Sequence, residues 1–352
     1  MTSERRGWRE HPLIQLTLER YREFFREPEA VFWVFIFPVL LTAGLGIAFR
    51  NQAPERTRVA VVERGEASHT VMEMLAGSPD LLAESLPEAA AAHALRTGKV
   101  AIVVAPAEQG VEYRFDPERP ESRTARLQVD DALQRGAGRR DPVPVADRRA
   151  SEPGSRYVDF VLPGLLGMNL MGSGIWGIGF TIVDARRKKL LKRMIATPMS
   201  RTQFLASFVL SRLTMLIVEV GALVGFGLLV FGVPVRGSAL SLLVICLLSA
   251  LTFGALGLLL ASRAKTIEGA SGLMNLVMLP MWIFSGVFFS AARFPDALQP
   301  FIQALPLTAV NDALRASMLE GAGWDRLAPE LAIVAAWMVI SFVLAARLFR
   351  WR

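Results

Sequence analysis

Six long apolar runs divide the chain, and the polar stretches between them are of two kinds: short basic loops and one long mixed insertion. The first run, Ala30 to Phe49, is long enough to cross a membrane, since about 20 apolar residues in a helix span a hydrocarbon core of ~30 Å. Phe160 to Val183, Leu213 to Val233, Ala239 to Ser262, Gly269 to Ala292 and Leu331 to Ala346 predict five more. The last is short and extends past Arg347, whose charged head can reach the interface while its stem stays in the apolar layer. Ahead of the first run, Ile14, Leu18, Tyr21, Phe24 and Phe25 recur at helical spacing with Arg20, Arg22 and Arg26 between them. That pattern predicts, within residues 1–29, an amphipathic helix lying in the headgroup region. The leader is too long for a cleaved signal peptide and no small-x-small site follows the run, so 30–49 is expected to stay as an anchor.

The insertion, residues 50–159, has a different rhythm. Arg58 to Val62 and Val100 to Ala105 are short β-branched runs and Val111 to Phe115 alternates, which predicts three strands. Ser68 to Ala76, Glu88 to Arg96 and Ser122 to Arg135 carry helical spacing, the last through Ala125, Leu127, Val129 and Leu133. Roughly 100 residues suffice for a small α/β domain with its own core. Gly136 to Gly154, rich in proline and arginine, reads as a flexible return to the membrane. His69 and His93 have no carboxylate or cysteine at metal spacing and are expected on the surface.

Composition agrees with the pattern. Hydrophobic residues make up 52% of the chain, charged residues 20%, and mean hydropathy is +0.37, so a soluble globular class is excluded. The net charge of +7 does not indicate nucleic acid, because the cations gather at the ends of apolar runs, where membrane lipids are the expected partner. The leader, the basic loop (184–207, with cations as far as Arg212), Arg263 with Lys265, and the tail with Arg347, Arg350 and Arg352 alternate to one side. The bias of cations towards the cytoplasm puts that side and both termini inside, with the α/β domain outside. The expected fold is an α-helical integral membrane protein of six transmembrane helices, one plus five, with a small extracytoplasmic α/β domain inserted after the first. One cysteine, Cys246, excludes an intrachain disulfide. Within 160–352, residues 294–323 are broken by Pro295, Pro300 and Pro306 yet rich in apolar side chains. A re-entrant hairpin of short helices on the outer side fits them, as does an amphipathic segment on the outer leaflet.

The stretch from Gly164 to Arg212, with its glycine-rich span, basic loop and Ala196-Thr197-Pro198, resembles the permease family of type-2 ABC exporters. So does Asn275 to Arg315, through Asn275-Leu276-Val277-Met278-Leu279-Pro280, Ser285-Gly286-Val287-Phe288-Phe289, Leu305-Pro306-Leu307-Thr308 and Asp312-Ala313-Leu314-Arg315. The insertion matches more loosely, through Gly98-Lys99-Val100 and the turn from Tyr113 to Pro117. One departure is that members usually carry an acidic residue and a Gly-Thr pair early in the basic loop, where this chain has Arg187 and Lys189-Leu190.

The resemblance implies a permease subunit of an exporter in a bacterial inner membrane, itself not an enzyme. No phosphate-cradling glycine motif is present, so ATP and its magnesium are expected on separate ABC ATPase subunits and no cofactor on this chain. A second permease, identical or a sister subunit, would complete the path. The basic loop would be the coupling helix in the ATPase groove. Leu190, Leu191 and Met194 would supply its apolar face, Arg187, Lys188, Lys192 and Arg193 its charges, and Ala196, Thr197 and Pro198 its stop. Glu219 is the one ionisable residue expected well inside a span, and such residues are costly there unless functional or partnered. It either faces the translocation path or a polar seam with Asn169, Ser173 or Asn275, or it makes one interhelical hydrogen bond. An apolar path with few charges favours a lipophilic or amphiphilic substrate. The alternative is a membrane sensor or scaffold whose outer domain binds a ligand. An intramembrane enzyme would need two convergent titratable groups in the spans.

Overall fold

The computed structural model describes residues 12–49, 56–108, 110–140, 143, 154, 156–187, 201–264 and 266–348. The chain divides into two compact units, residues 1–50 with 150–352, and residues 51–149.

The larger unit is helical. Helix α1 (Pro12–Arg26) precedes α2 (Pro28–Ala48), in which Phe32–Ile36 form a π turn. After the insertion come α6 (Tyr157–Arg187), α7 (Arg201–Phe231), α8 (Ala239–Arg263) and α9 (Ile267–Phe284). Two short helices, α10 (Gln299–Ala304) and α11 (Pro306–Arg315), lead to α12 (Trp324–Leu348). Among the described residues, six helices are long and apolar enough to cross a membrane: α2, α6, α7, α8, α9 and α12.

Helices α6 and α8 form the centre. Half of the span in α6 and 56% of that in α8 are buried, against 17–22% in the other four. Small residues make their contact possible, because backbones approach closely only where side chains are absent. A Cβ on Gly174 would lie 2.6 Å from the Cβ of Phe253, and one on Gly257 would lie 2.7 Å from the Ile175 carbonyl oxygen. Helix α12 is tied to α8 by the Thr252 hydroxyl, which donates to the Val334 carbonyl at 3.0 Å. The exposed sides of the outer helices are apolar, with Leu229, Ile340 and Phe342 among the least covered residues, as a lipid-facing surface requires.

Three boundaries differ from the hydropathy pattern. The fifth span ends at Phe284 rather than Ala292, because Ser285 caps α9 and Gly286 turns the chain at φ 69°, a left-handed conformation that favours glycine. The sixth begins at Trp324, after Gly321 (φ 67°) ends the preceding turn. Helix α7 begins at Arg201, so Arg212 lies inside a helix and not in a loop. Residues 291–320 form short 3-10, α and π elements. Of these, α11 is almost wholly buried against α6 and α12.

The smaller unit is a four-stranded sheet in the order β2-β1-β3-β4, with β1 (Thr57–Val62), β2 (Leu81–Leu86), β3 (Ile102–Ala107) and β4 (Gly110–Arg114). Strand β1 runs parallel to β2 and β3, and β4 is antiparallel to β3. Val59, Val61, Ile102 and Val104 pack beneath α3 (Glu66–Ala76) and α5 (Pro120–Gly136). Ala60, Val62, Val103 and Ala105 face α4 (Glu88–Arg96) on the other side. Burial on both faces explains why β1 and β3 read as unbroken apolar runs. Strand β2 escapes the pattern because it is an edge strand with only Leu81 buried, so Glu84 and Ser85 interrupt it at no cost. Both His69 and His93 are exposed.

Candidate functional site

The expected coupling loop, 184–207, overlaps two described helices: its first four residues are the end of α6, which stops at Arg187, and its last seven are the start of α7 at Arg201. Lys188, Leu190, Leu191, Lys192, Arg193, Met194, Ala196, Thr197 and Pro198 lie outside the described residues, as does the side chain of Arg187. What the structure does place is the polar apparatus on the helices that carry this segment.

Glu219 is 2% exposed. Arg212 sits two turns earlier on the same face of α7, since residues seven apart align on a helix. Its Nη1 approaches Glu219 Oε1 at 3.3 Å, and its Nη2 donates to the Ser173 hydroxyl on α6. A carboxylate removed from water costs several kcal/mol unless it is paired, and the guanidinium supplies both the countercharge and a bridge to the neighbouring helix. Arg212 Nε and Glu219 Oε2 have no hydrogen-bond partner among the described residues.

Asn169 and Asn275 do not join this seam. Asn169 Nδ2 donates to the Val34 carbonyl at 3.3 Å, inside the π turn of α2. A π turn shifts bonding from i+4 to i+5 and leaves a carbonyl open to an outside donor, so Asn169 ties α6 to the first span. Asn275 is exposed on α9, on the side away from buried Met274, Met278 and Met281. Of the four residues expected along a path, Ser173 and Glu219 are therefore brought together, Asn169 holds another helix and Asn275 faces out. Near the same end, the Tyr21 hydroxyl of α1 bonds to the Thr214 hydroxyl of α7.

A second polar cluster lies at the other end of α6, around the turn from Ser285 to Phe289. Asn311 Nδ2 donates to the Ser285 carbonyl at 2.8 Å, Arg315 Nη2 to the Gly286 carbonyl, and the Tyr157 hydroxyl to the Phe288 carbonyl at 2.9 Å. The Val287 carbonyl lies against Gly164, where a Cβ would come within 2.5 Å of it. Arg315 also donates Nε to the Phe160 carbonyl at 3.3 Å and stacks its cation 3.9 Å from the centre of the Phe160 ring. The blocks around Gly164, Ser285 and Asp312, far apart in sequence, thus meet in one place.

Arg212 and Arg315 are the residues that sequence reasoning missed. Arg212 read as the end of a basic loop, although its spacing of seven from Glu219 was a usable signal. Arg315 read as part of a motif without a role, and no local pattern shows that it reaches α6. Asp159, fully buried at the first turn of α6, ties that turn to the residues just before it. It accepts from Arg156 Nε at 2.9 Å and Nη2 at 2.8 Å, and from the Gly154 and Arg156 amides at 2.9 and 3.0 Å.

The chain is similar in sequence to several known proteins. The linearmycin resistance permease protein LnrN of Bacillus subtilis is 22% identical over 377 aligned residues, covering 93% of this chain and 96% of that protein. Nodulation protein J of Bradyrhizobium diazoefficiens is 27% identical over 202 residues, 56% of this chain and 76% of the relative. ABC transporter G family member 20 of Dictyostelium discoideum is 23% identical over 195 residues, 55% of this chain, and the match spans only 27% of that longer protein. Residues 29–347 match the model of the ABC-2 family transporter proteins, a stretch that takes in both polar clusters and all but the outermost residue of the first and last spans, and the chain belongs to that family.

Proposed function

We propose that the chain is the membrane-spanning permease subunit of an ATP-driven exporter. It moves a lipophilic or amphiphilic molecule, drug-like or lipid-like, out of the cytoplasm or the inner leaflet. ATP and magnesium bind separate ATPase chains. The segment 184–207 docks on the ATPase, both termini face the cytoplasm of a bacterium, and the inserted α/β domain stands outside the inner membrane.

The observation that carries this reading is the continuity of α6. It is a single helix of 31 residues, about 46 Å at 1.5 Å per residue. Its last turn enters the coupling segment and its first turns carry the cluster at Ser285–Phe289. A push at one end therefore has a rigid route to the other, as rigid-body alternating access demands. The Arg212–Ser173 contact adds the second arm of the segment, α7, to the same body. Asn275 supports a second permease. With Leu276, Leu279 and Ile283 it forms an exposed face on α9, and an amide within a span is better placed against a polar path or a second subunit than against lipid. The name of the Bacillus relative, a resistance permease, supports export.

The deciding experiment is to isolate the chain from its native membrane with any associated ATPase and to reconstitute the complex with a fluorescent lipophilic probe. ATP-dependent movement of the probe, abolished by replacing the lysine in the ATPase phosphate loop, is the expected result. An absence of both ATPase and probe movement would leave the sensor or scaffold reading in its place.

A further inference from the structure

The turn from Ser285 to Phe289 is irregular backbone within the helical unit, where each open carbonyl needs a donor. Three of its carbonyls, those of Ser285, Gly286 and Phe288, receive side-chain donors, from Asn311, Arg315 and Tyr157. A fourth carbonyl of the five, that of Val287, abuts the bare backbone at Gly164. Arg315 is the one donor that touches three elements at once. It reaches the Gly286 carbonyl in the turn and the carbonyl and ring of Phe160 on α6, and it stays on α11 beside Asp312 at 3.6 Å. Only a planar fork of several donors can do this, and lysine cannot. The side chain is 14% exposed, so it is committed to these contacts and not to solvent.

We propose that Arg315 is a positioning residue of the transport cycle: it latches α11 and the Ser285–Phe289 turn to the first turns of α6, so that the end of the path follows α6 when the coupling segment moves. The latch rests on the geometry alone, whereas its part in the cycle rests on the exporter reading above. The surroundings agree with a joint that must stay closed while moving. Gly164 and Gly167 let α6 approach, a Cβ on Gly167 lying 2.1 Å from Asn311 Oδ1, and Leu307, Val310, Ala313 and Leu314 bury the rest of α11.

Ser285 supplies a reporter. Its side chain is fully buried and its hydroxyl has no partner among the described residues, so Ser285→Cys is a mild change, made together with Cys246→Ala. In the complex with its ATPase, in lipid nanodiscs, N-ethylmaleimide should label Ser285→Cys slowly. Arg315→Gln should raise the rate by about tenfold or more, the scale of one charge-assisted hydrogen bond. Arg315→Lys should fall between the two. Should Arg315→Gln fail to fold, Tyr157→Phe and Phe160→Leu each remove one partner and should raise the rate severalfold. Rates within twofold of the parent in the folded variants overturn the latch.

The second arm compares labelling with and without ATP and vanadate. In the parent the nucleotide should change the rate, and in Arg315→Gln that response should vanish while ATP hydrolysis continues. An unchanged response in Arg315→Gln overturns the role in transmission. A parent that hydrolyses ATP without any response counts against the coupled-motion reading itself, while the basal rates still decide the latch.

Discussion

Arg212 holds Glu219 across two turns of α7, Nη1 to Oε1 at 3.3 Å, and extends its other terminal nitrogen to Ser173 on α6. A buried carboxylate thus owes its place to one arginine. Replacing Arg212 by methionine should destabilise the protein by about 3–5 kcal/mol, because it leaves Glu219 buried without a countercharge. Glu219→Gln, which keeps an acceptor and removes the charge, should cost less. The double variant Arg212→Met with Glu219→Leu should recover much of the loss. Thermal unfolding of the four proteins in one detergent checks the order; a double variant no more stable than Arg212→Met would show that the pair carries no special energy.

The contact of α6 with α8 should tolerate no added bulk. Gly257→Val puts two methyl groups where a single Cβ already meets the Ile175 carbonyl at 2.7 Å, and overpacking of this kind costs about 1–3 kcal/mol or more. Gly221→Ala, where a Cβ meets nothing within 4 Å, should be neutral. Membrane abundance and melting temperature of the two variants separate the cases.

In the proposed coupling segment, Leu191→Asp or Met194→Asp should leave insertion intact and abolish association with the proposed ATPase partner. Co-purification measures this directly. If association survives both changes, the docking contact belongs to α1 and not to this segment.

The inserted domain should lose stability in acid through Glu88. Its side chain accepts from Arg114 and Arg64, and these bonds hold its carboxyl below the ordinary value of 4.5. A lowered folded-state value means that the stabilisation is present above about pH 4.5 and disappears as the pH falls through the folded-state value. Glu88→Gln should flatten that part of the melting profile and leave the profile near neutrality almost unchanged, since the pair is exposed. A profile of Glu88→Gln that falls as steeply as that of the parent would assign the acid sensitivity to other carboxylates.

The parts of the fold that were legible in the chain are those fixed by one-dimensional chemistry. Hydropathy located the six spans because lipid rewards apolar length, and β1 and β3 showed themselves as β-branched runs because both faces are buried. Edge strand β2 carries too little buried surface to leave a pattern. The end of the fifth span was misplaced by eight residues, Phe284 against Ala292, because apolar residues continue past the turn that Gly286 makes. Val287 is buried there against Gly164 of α6, whereas Phe289 and Ala292 are exposed. Glu219 was conspicuous as a charge, but its partner was hidden in a run of basic residues whose common explanation is orientation. Asn275 shows the limit from the other side: its amide marks a position in a span, and only the helix packing reveals which way it faces.

The π turn at Phe32–Ile36 works as a phase adjuster in the first span. One surplus residue turns everything after it by about 100° relative to an unbroken α-helix. That offset sets buried Thr42, and Gly46 beneath the ring of Phe231, on the same side as the Val34 carbonyl that Asn169 holds. The first span is therefore exacting in count and lenient in content. Apolar exchanges at exposed Trp33 or Leu40 are harmless, whereas the loss of a single residue from the turn would rotate Thr42 and Gly46 out into the lipid.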